Sequence, residues 1–289
     1  MFRWIGMQHW LRLGIRYRIL RLMKKTGQKF IVPFGRYTYS GSLDNYIDWH
    51  VFFYGAYEQP ELDLLSSLID TSSVVFDVGA NSGNHTLFFA ERAARVYSFE
   101  PFPSMVERLR TQMGQNAITT VTVMPFGLGA ARTERTFFAP SAHNQGMGSF
   151  TGQYAPTDAT TMTLPIQRGD DVARELDLAR LDLVKIDVEG LESEVLAGLQ
   201  DTVARLRPIL FVEFSMAHGM QRTLAEIQAY LPPQYRAYAS RGHRATWLFF
   251  NKRGCSLAPL ETGLLAGNIL FVPEESEERI AAYREPRRH

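Results

Sequence analysis

At 289 residues, with 45% hydrophobic and 12% aromatic content, the chain is long enough for one α/β domain with additions and too apolar to be disordered. Its single cysteine, Cys255, excludes an internal disulfide and a cysteine zinc site. The net charge of +1 hides an asymmetry: the first 43 residues hold nine Lys or Arg and no acid, so the remainder is acidic and opposes a nucleic-acid partner.

In chain order, the basic segment comes first. At helical spacing Trp4, Leu11, Ile15, Ile19 and Leu22 share one face, and Arg3, Arg18, Arg21, Lys24 and Lys25 share another. This predicts a helix that either lies on an anionic membrane surface or packs on the protein's own core. No apolar run is long enough to span a bilayer, and arginines interrupt any secretory signal. The expected location is therefore the cytoplasm, with the inner face of the membrane as the peripheral contact. Residues 30–56 read as a lead-in of short strands and turns, broken at Pro33, Gly35, Gly41 and Gly55. From Pro60 the spacing of Leu62, Leu65, Leu68 and Ile69 predicts a helix, with Glu58 and Glu61 near its N-terminus where the dipole favours them.

Residues 74–100, VVFDVGANSGNHTLFFAERAARVYSFE, carry the clearest signal. Val74 to Val78 is an apolar run broken only by Asp77, the pattern of a buried parallel strand. Two glycines, Gly79 and Gly83, frame a tight turn. Asn84 can cap the following helix. A second strand over residues 95–99 ends on Glu100, placed to bind both hydroxyls of a ribose. The turn lacks the G-x-G-x-x-G spacing that seats a pyrophosphate. A carboxylate beside it repels phosphate and attracts a cation. The ligand with an adenosine ribose, a positive charge and no phosphate is S-adenosylmethionine.

The rhythm then continues. Residues 101–113 predict a helix with Met105, Leu109 and Met113 inward, and 119–125 a strand. Residues 126–139 suggest a hairpin about Gly127 or Gly129, and the polar stretch 141–161 a functional loop. A strand over 162–167 precedes a short helix that Asp170 could cap. Strands over 181–187 and 208–214 end near Asp187 and Glu213, with a helix over 191–199 between them. A helix over 223–230 and strands near 235–239, 245–250 and 268–272 follow, then a charged, loose tail from Glu274. This predicts an α/β fold, a doubly wound, mostly parallel sheet with an antiparallel edge strand and an N-terminal helical extension. The expected divisions are 1–56, a core over 57–273, and a tail over 274–289. Asp77, Glu100, Asp187 and Glu213 all fall at strand carboxyl ends, where such sheets bind ligands.

These residues carry a resemblance. FDVGANSGNHTL at 76–87, FEP at 99–101, NQGMGSF at 144–150, LPIQRGDDV at 164–172, VKIDVEGLESEVLAG at 184–198 and RPILFVEF at 207–214 resemble the FkbM family of S-adenosylmethionine-dependent methyltransferases. The resemblance implies a Rossmann-like class I methyltransferase fold and methyl transfer to a hydroxyl of a sugar, glycan, glycolipid or small natural product. Cofactor contacts are expected from Asp77, Gly79, Asn81, Gly83, Asn84, Glu100, Pro101 and Asp187. The acceptor hydroxyl must lose a proton near the transition state. Asp187 and His218 are the candidate bases, with cofactor binding or helix capping as the other reading of Asp187. Asn144, Ser149, Glu189 and Glu213 are the candidate acceptor contacts, and His85 is expected to support the cofactor site. No metal is expected, although Asp187 and Glu213 could offer oxygens to Mg²⁺. Oligomeric state is left open, a homo-oligomer included. The competing readings are an NAD-linked oxidoreductase and a non-catalytic module of the same fold.

Overall fold

The computed structural model describes residues 27–139, 160–188, 190–214, 222–247 and 250–285. The segment predicted as a basic helix ahead of residue 27, the polar stretch with Asn144 and Ser149, and Glu189 and His218 lie outside the described residues.

The chain enters as a hairpin, β1 (Lys29–Phe34) paired with β2 (Tyr37–Ser42). The lead-in is more regular than its glycines suggested, because α1 (Tyr46–Tyr54) follows, capped by the Asn45 side chain on the N–H groups of Ile47 and Asp48. Next come α2 (Gln59–Ser67), β3 (Val74–Val78), α3 (Asn84–Ala90), β4 (Arg95–Phe99), α4 (Pro103–Gln115) and β5 (Val121–Met124).

β6 (Gly127–Gly129) and β7 (Thr133–Ala139) do not form the hairpin the glycines predicted. Both pair with β8 (Thr160–Arg168), β6 parallel and β7 antiparallel, in a separate three-stranded sheet. Then follow α5 (Gly169–Glu175), β9 (Leu183–Ile186), α6 (Glu192–Gly198), α7 (Gln200–Leu206) and β10 (Ile209–Phe214). The last part holds the short β11 (Arg222–Thr223), α8 (Leu224–Gln228), β12 (Tyr235–Trp247), β13 (Phe250–Leu260), the short β14 (Leu264–Leu265) and β15 (Gly267–Pro273).

The main sheet has eight strands in the order β13-β12-β15-β10-β9-β3-β4-β5. β10, β9, β3, β4 and β5 are parallel, and β15, β12 and β13 extend one edge antiparallel. The expected single edge strand is thus three. The β12–β13 hairpin is also much longer than predicted, since the basic residues Arg241, His243 and Arg244 interrupt the apolar pattern of β12.

Alternation along β3 assigns the two faces. Phe76 and Val78 join the cluster covered by Val172, Val195, Leu199 and Val203 of α5–α7. Val75 joins the one covered by Leu64, Leu65 and Leu68 of α2 and Phe89 of α3. The hairpin and α1 complete this second side, with Val32, Phe34, Tyr39 and Val51 packed on Leu87, Leu109 and Met113. Tyr39 is fully buried, and its hydroxyl lies 2.7 Å from Asp48 Oδ1 and 2.8 Å from Ser82 Oγ. Arg108 closes the network on Asp48. Two of the nine early basic residues are therefore part of this hairpin, and one of them, Arg36, fastens it to Ala90 and Glu91 at the end of α3.

Two caps differ from expectation. Asp170 caps α7 rather than its own helix: Oδ1 accepts from Thr202 N at 2.8 Å and Oδ2 from Asp201 N at 3.3 Å. Leu199 stands at the N-cap of α7 and has no side-chain acceptor, so the buried carboxylate supplies one from a neighbouring helix. Asp170→Ala should cost about 2 kcal/mol, the upper part of the range for a lost cap, because Arg168 also loses the nearest of its three carboxylate partners, at 2.8 Å. Urea denaturation of the two proteins measures it, and equal midpoints would contradict this assignment.

Over its described part, to residue 285, the tail is not loose. Residues Glu274–Tyr283 form a 3₁₀ segment with Ile280 buried against the sheet. Its acids meet cations: Glu275 pairs with Arg207 at 2.8 Å, and Glu274 and Glu277 meet Arg236. The charge that suggested disorder is complementary to the surface beneath it. Among the described residues no helix is long and apolar enough to cross a membrane.

Candidate active site

The ends of β3, β4, β9 and β10 converge on one crevice. Gly79 turns the chain out of β3 at φ +79°, and the N–H groups of Gly79 and Ala80 both donate to Phe99 O at 3.0 and 3.1 Å. That fastens the glycine turn to the end of β4, beside Glu100. A Cβ on Gly79 would meet Asp187 O at 1.8 Å, so the glycine is what lets the ends of β3 and β9 touch. Gly83 takes φ +92° just ahead of α3.

Glu100 is buried with both oxygens engaged: Oε2 accepts from Asn81 N at 2.8 Å and Oε1 from Phe102 N at 2.9 Å. Burial pushes its pKa up to about 7 against those two hydrogen bonds. Pro101 follows directly, half-buried. Asn84 is not the cap of α3. It is the first residue of the helix, and its amide accepts from Tyr57 N and donates to Tyr57 O, both at 3.1 Å. A side chain already inside the first turn thus pairs with the backbone of the bend that leads into α2.

Asp77 is fully buried. Its Oδ2 accepts from Thr86 Oγ1 at 2.6 Å, and Thr86 lies 3.0 Å from Ser98 Oγ. Asp77 thus sits in the wall beneath the glycine turn. Its other oxygen lies 3.5 Å from Lys185 Nζ.

Lys185 is the residue that sequence reasoning missed, and it organises the site. It is 3% exposed, donates to Gly79 O at 2.9 Å, and lies 3.5 Å from Asp187 Oδ2 as well as Asp77. Burial alone would lower its pKa. Asp187, Asp77, Glu213 and Glu58 together outweigh burial and raise it. The field of Lys185 also reaches Glu100. The four acids expected to converge therefore do so around a cation of the protein's own. Asp187 and Glu213, the pair that could have offered oxygens to a metal, face this ammonium.

Two further residues were not expected at the site. Tyr57 and Glu58, between α1 and α2, face the same charges: burial raises the Tyr57 hydroxyl, with Glu58, Glu213 and Asp187 adding to it. Glu58 Oε2 lies 3.7 Å from His85 Nε2. Burial and then Lys185 hold the His85 imidazole neutral, well below its ordinary pKa. The loop after Asp187 is held by Glu192, whose Oε1 accepts from Gly190 N at 2.8 Å.

Six buried side-chain polar atoms among the described residues lack a hydrogen bond; Asp77 Oδ1 is one, but it faces Lys185, and three others border this crevice: Asn81 Oδ1, His85 Nε2 and Asn268 Oδ1. Buried polar groups are nearly always satisfied, so their concentration here marks a place for a polar ligand.

Comparison with known proteins agrees with the motifs. A family model described as the methyltransferase FkbM domain matches residues 77–245. The hexuronic acid methyltransferase AglP of Haloferax volcanii is 31% identical over 147 residues, 50% of this chain and 58% of that one. The 2-O-methyltransferase NoeI of Sinorhizobium fredii is 27% identical over 53% of this chain and 67% of its own. The 31-O-demethyl-FK506 methyltransferase FkbM of Streptomyces tacrolimicus is 29% identical over 55% and 70%. This chain thus spans little more than half the length of the first of these relatives. A crystal structure of a methyltransferase FkbM from Methylobacillus flagellatus covers 71% of this chain and 47% of its own at 16% identity, with a TM-score of 0.41. With more than half of its length matched by the family model, the chain belongs to the FkbM methyltransferase domain family.

Proposed function

We propose that the chain is an S-adenosylmethionine-dependent O-methyltransferase acting on a hydroxyl of a sugar, glycan or natural product. The observation that carries the reading is Glu100. Its oxygens are aimed by two backbone N–H groups at the mouth of a glycine turn, the arrangement that receives the two hydroxyls of a ribose. The cradle at Gly79 and the unsatisfied polar atoms around it suit a nucleoside with a polar amino-acid tail. When bound, the cofactor supplies an electrophilic methyl group on a sulfonium. The protein's residues align the acceptor with it and accept the acceptor's proton. The sugar and natural-product names of the relatives support the acceptor class. Asp187, at the crevice mouth with its side chain 31% exposed, is suited to the cofactor's tail or the acceptor. The basic segment ahead of the hairpin is suited to an anionic membrane surface, and the support for that is the sequence alone.

Titration calorimetry with S-adenosylhomocysteine and with NAD tests the reading. Binding of the first and none of the second is expected, and the reverse would restore the oxidoreductase reading. Glu100→Ala should weaken S-adenosylhomocysteine by ~1.5–3 kcal/mol, the range for hydrogen bonds to a charged group. The pH dependence has a definite sign. Ribose hydroxyls donate to the ionised carboxylate, so affinity should fall as pH drops below about 7. Stability without cofactor should run the other way. The raised pKa of Glu100 gives a contribution fully present below its ordinary value of 4.5 and lost as pH rises through about 7.

A further inference from the structure

Glu58 lies in YEQPEL at 57–62, a weaker echo of the family motifs, and the sequence marks it only as an acid near a helix N-terminus. It occupies the N-cap position of α2 in the left-handed region, φ +54° and ψ +41°, a conformation that costs a side-chain-bearing residue and is kept where the surroundings enforce it. The enforcement is visible one residue earlier. Asn84, at the start of the helix that follows the glycine turn, holds the backbone of Tyr57 by both its N–H and its C=O. Glu58 is thereby tied to the glycine turn itself. Asn268, opposite Glu213 in the β10–β15 register, lies close enough to draw the pKa of Glu58 down. His85 lies behind it, Nε2 at 3.7 Å, with no hydrogen bond to that nitrogen. The side chain is 18% exposed, which leaves a path to solvent.

We infer that Glu58 is the catalytic base that takes the proton from the acceptor hydroxyl. This rests on the methyl-transfer reading above. As the acceptor oxygen forms its bond to the methyl carbon, the carbon–sulfur bond breaks and its electron pair stays on sulfur. The hydroxyl proton passes to Glu58 and from there to solvent. Asp187 is placed less well for this task, because Lys185 engages it at 3.5 Å. Among the described residues no Lys or Arg forms an ion pair with Glu58. The groups that face Glu58 are Tyr57, Glu61, His85, Lys185, Asp187 and the Asn268 amide. Burial first, then Asp187 and Glu61, pushes its pKa up to about 7 against Lys185 and Asn268. A base poised there is matched to neutral pH.

The test compares wild type, Glu58→Gln and Asp187→Asn at saturating S-adenosylmethionine, with methyl glycosides of a hexose and of a hexuronic acid as acceptor probes. Wild type should show an acid limb near pH 7 in kcat. Glu58→Gln should bind S-adenosylhomocysteine as wild type does, melt at a similar temperature, lose ~10²–10⁴ in turnover, and lose that limb. Retention of rate and limb in Glu58→Gln, or their loss only in Asp187→Asn, overturns the assignment. Should neither glycoside accept a methyl group, difference-infrared titration of the S-adenosylhomocysteine complex decides. Glu100 can contribute a protonated-carboxyl band near pH 7 to both proteins, so the readout is the difference: a band component that titrates through about pH 7 in wild type and is lost in Glu58→Gln supports the assignment. Equal band amplitude in both proteins overturns it. A wild type that binds no S-adenosylhomocysteine overturns the methyl-transfer reading together with this one, whereas normal binding beside an unaffected Glu58→Gln overturns this one alone.

Discussion

Gly79→Ala should yield a chain that is less stable by on the order of 3–5 kcal/mol and binds no S-adenosylhomocysteine at millimolar concentration, the sum of overpacking and a left-handed backbone. The added Cβ would fall 1.8 Å from Asp187 O and 2.9 Å from Asp187 C. Those are backbone atoms at the end of a buried parallel strand, so neither can swing aside. Relief requires the ends of β3 and β9 to part, and that separates the glycine turn from Lys185, which donates to Gly79 O. The positive φ adds its own penalty. Gly83→Ala is the internal control. Its Cβ meets Leu109 Cδ1 at 2.6 Å, the far end of a side chain that can turn. Its cost should be clearly smaller. Denaturant melts and calorimetry on both variants decide, and equal losses at the two positions would show that the close approach at Gly79 has no special weight.

Lys185→Met is expected to be nearly as damaging. Removing one member of a buried charge pair leaves the other uncompensated, at a cost of about 3–5 kcal/mol. Here Asp77, fully buried, would keep only the Thr86 hydroxyl. The contribution of Lys185 has a simple pH dependence. Its pKa is raised in the fold, so its stabilisation is fully present below the ordinary value of 10.5 and is lost only above that. Working pH therefore cannot mimic the mutation. The partner test is the double variant Lys185→Met/Asp77→Asn. If the pair is what matters, it should recover part of the loss, as removal of both members of a buried pair commonly does. A double variant that is worse than either single one would show that Lys185 acts mainly through Gly79 O and Asp187.

Much of this site was legible because the acids stand at the ends of apolar runs. Asp77, Glu100, Asp187 and Glu213 each mark where a buried strand meets the crevice, and strand direction alone brings them together. Lys185 was readable in kind but not in partner. A lysine inside the apolar run LVKI is a signal, since lysine is almost never fully buried unless paired. Asp187 stands only two positions on, but its other partners lie 106 positions away at Gly79 and farther at Asp77. Glu58 was hidden by a local explanation that sufficed: an acid near a helix N-terminus favours the dipole whether or not it faces a ligand. The long β12–β13 hairpin and the packed tail were misread for one reason. Charged residues were assigned to water, when Glu275 and Glu277 are in fact matched by Arg207 and Arg236.

The brace on Ser82 has a consequence for how such a core could be inherited. Ser82 stands inside the glycine turn, and the hydroxyl that steadies it belongs to Tyr39, 43 positions upstream. The span shared with the family begins at residue 77. A core exchanged between relatives at that border would arrive with Ser82 unbraced, Arg108 without Asp48, and the apolar faces of Leu87 and Leu109 bare. Hairpin and core pack as one unit, so a recombination joint at residue 77 would cut through it.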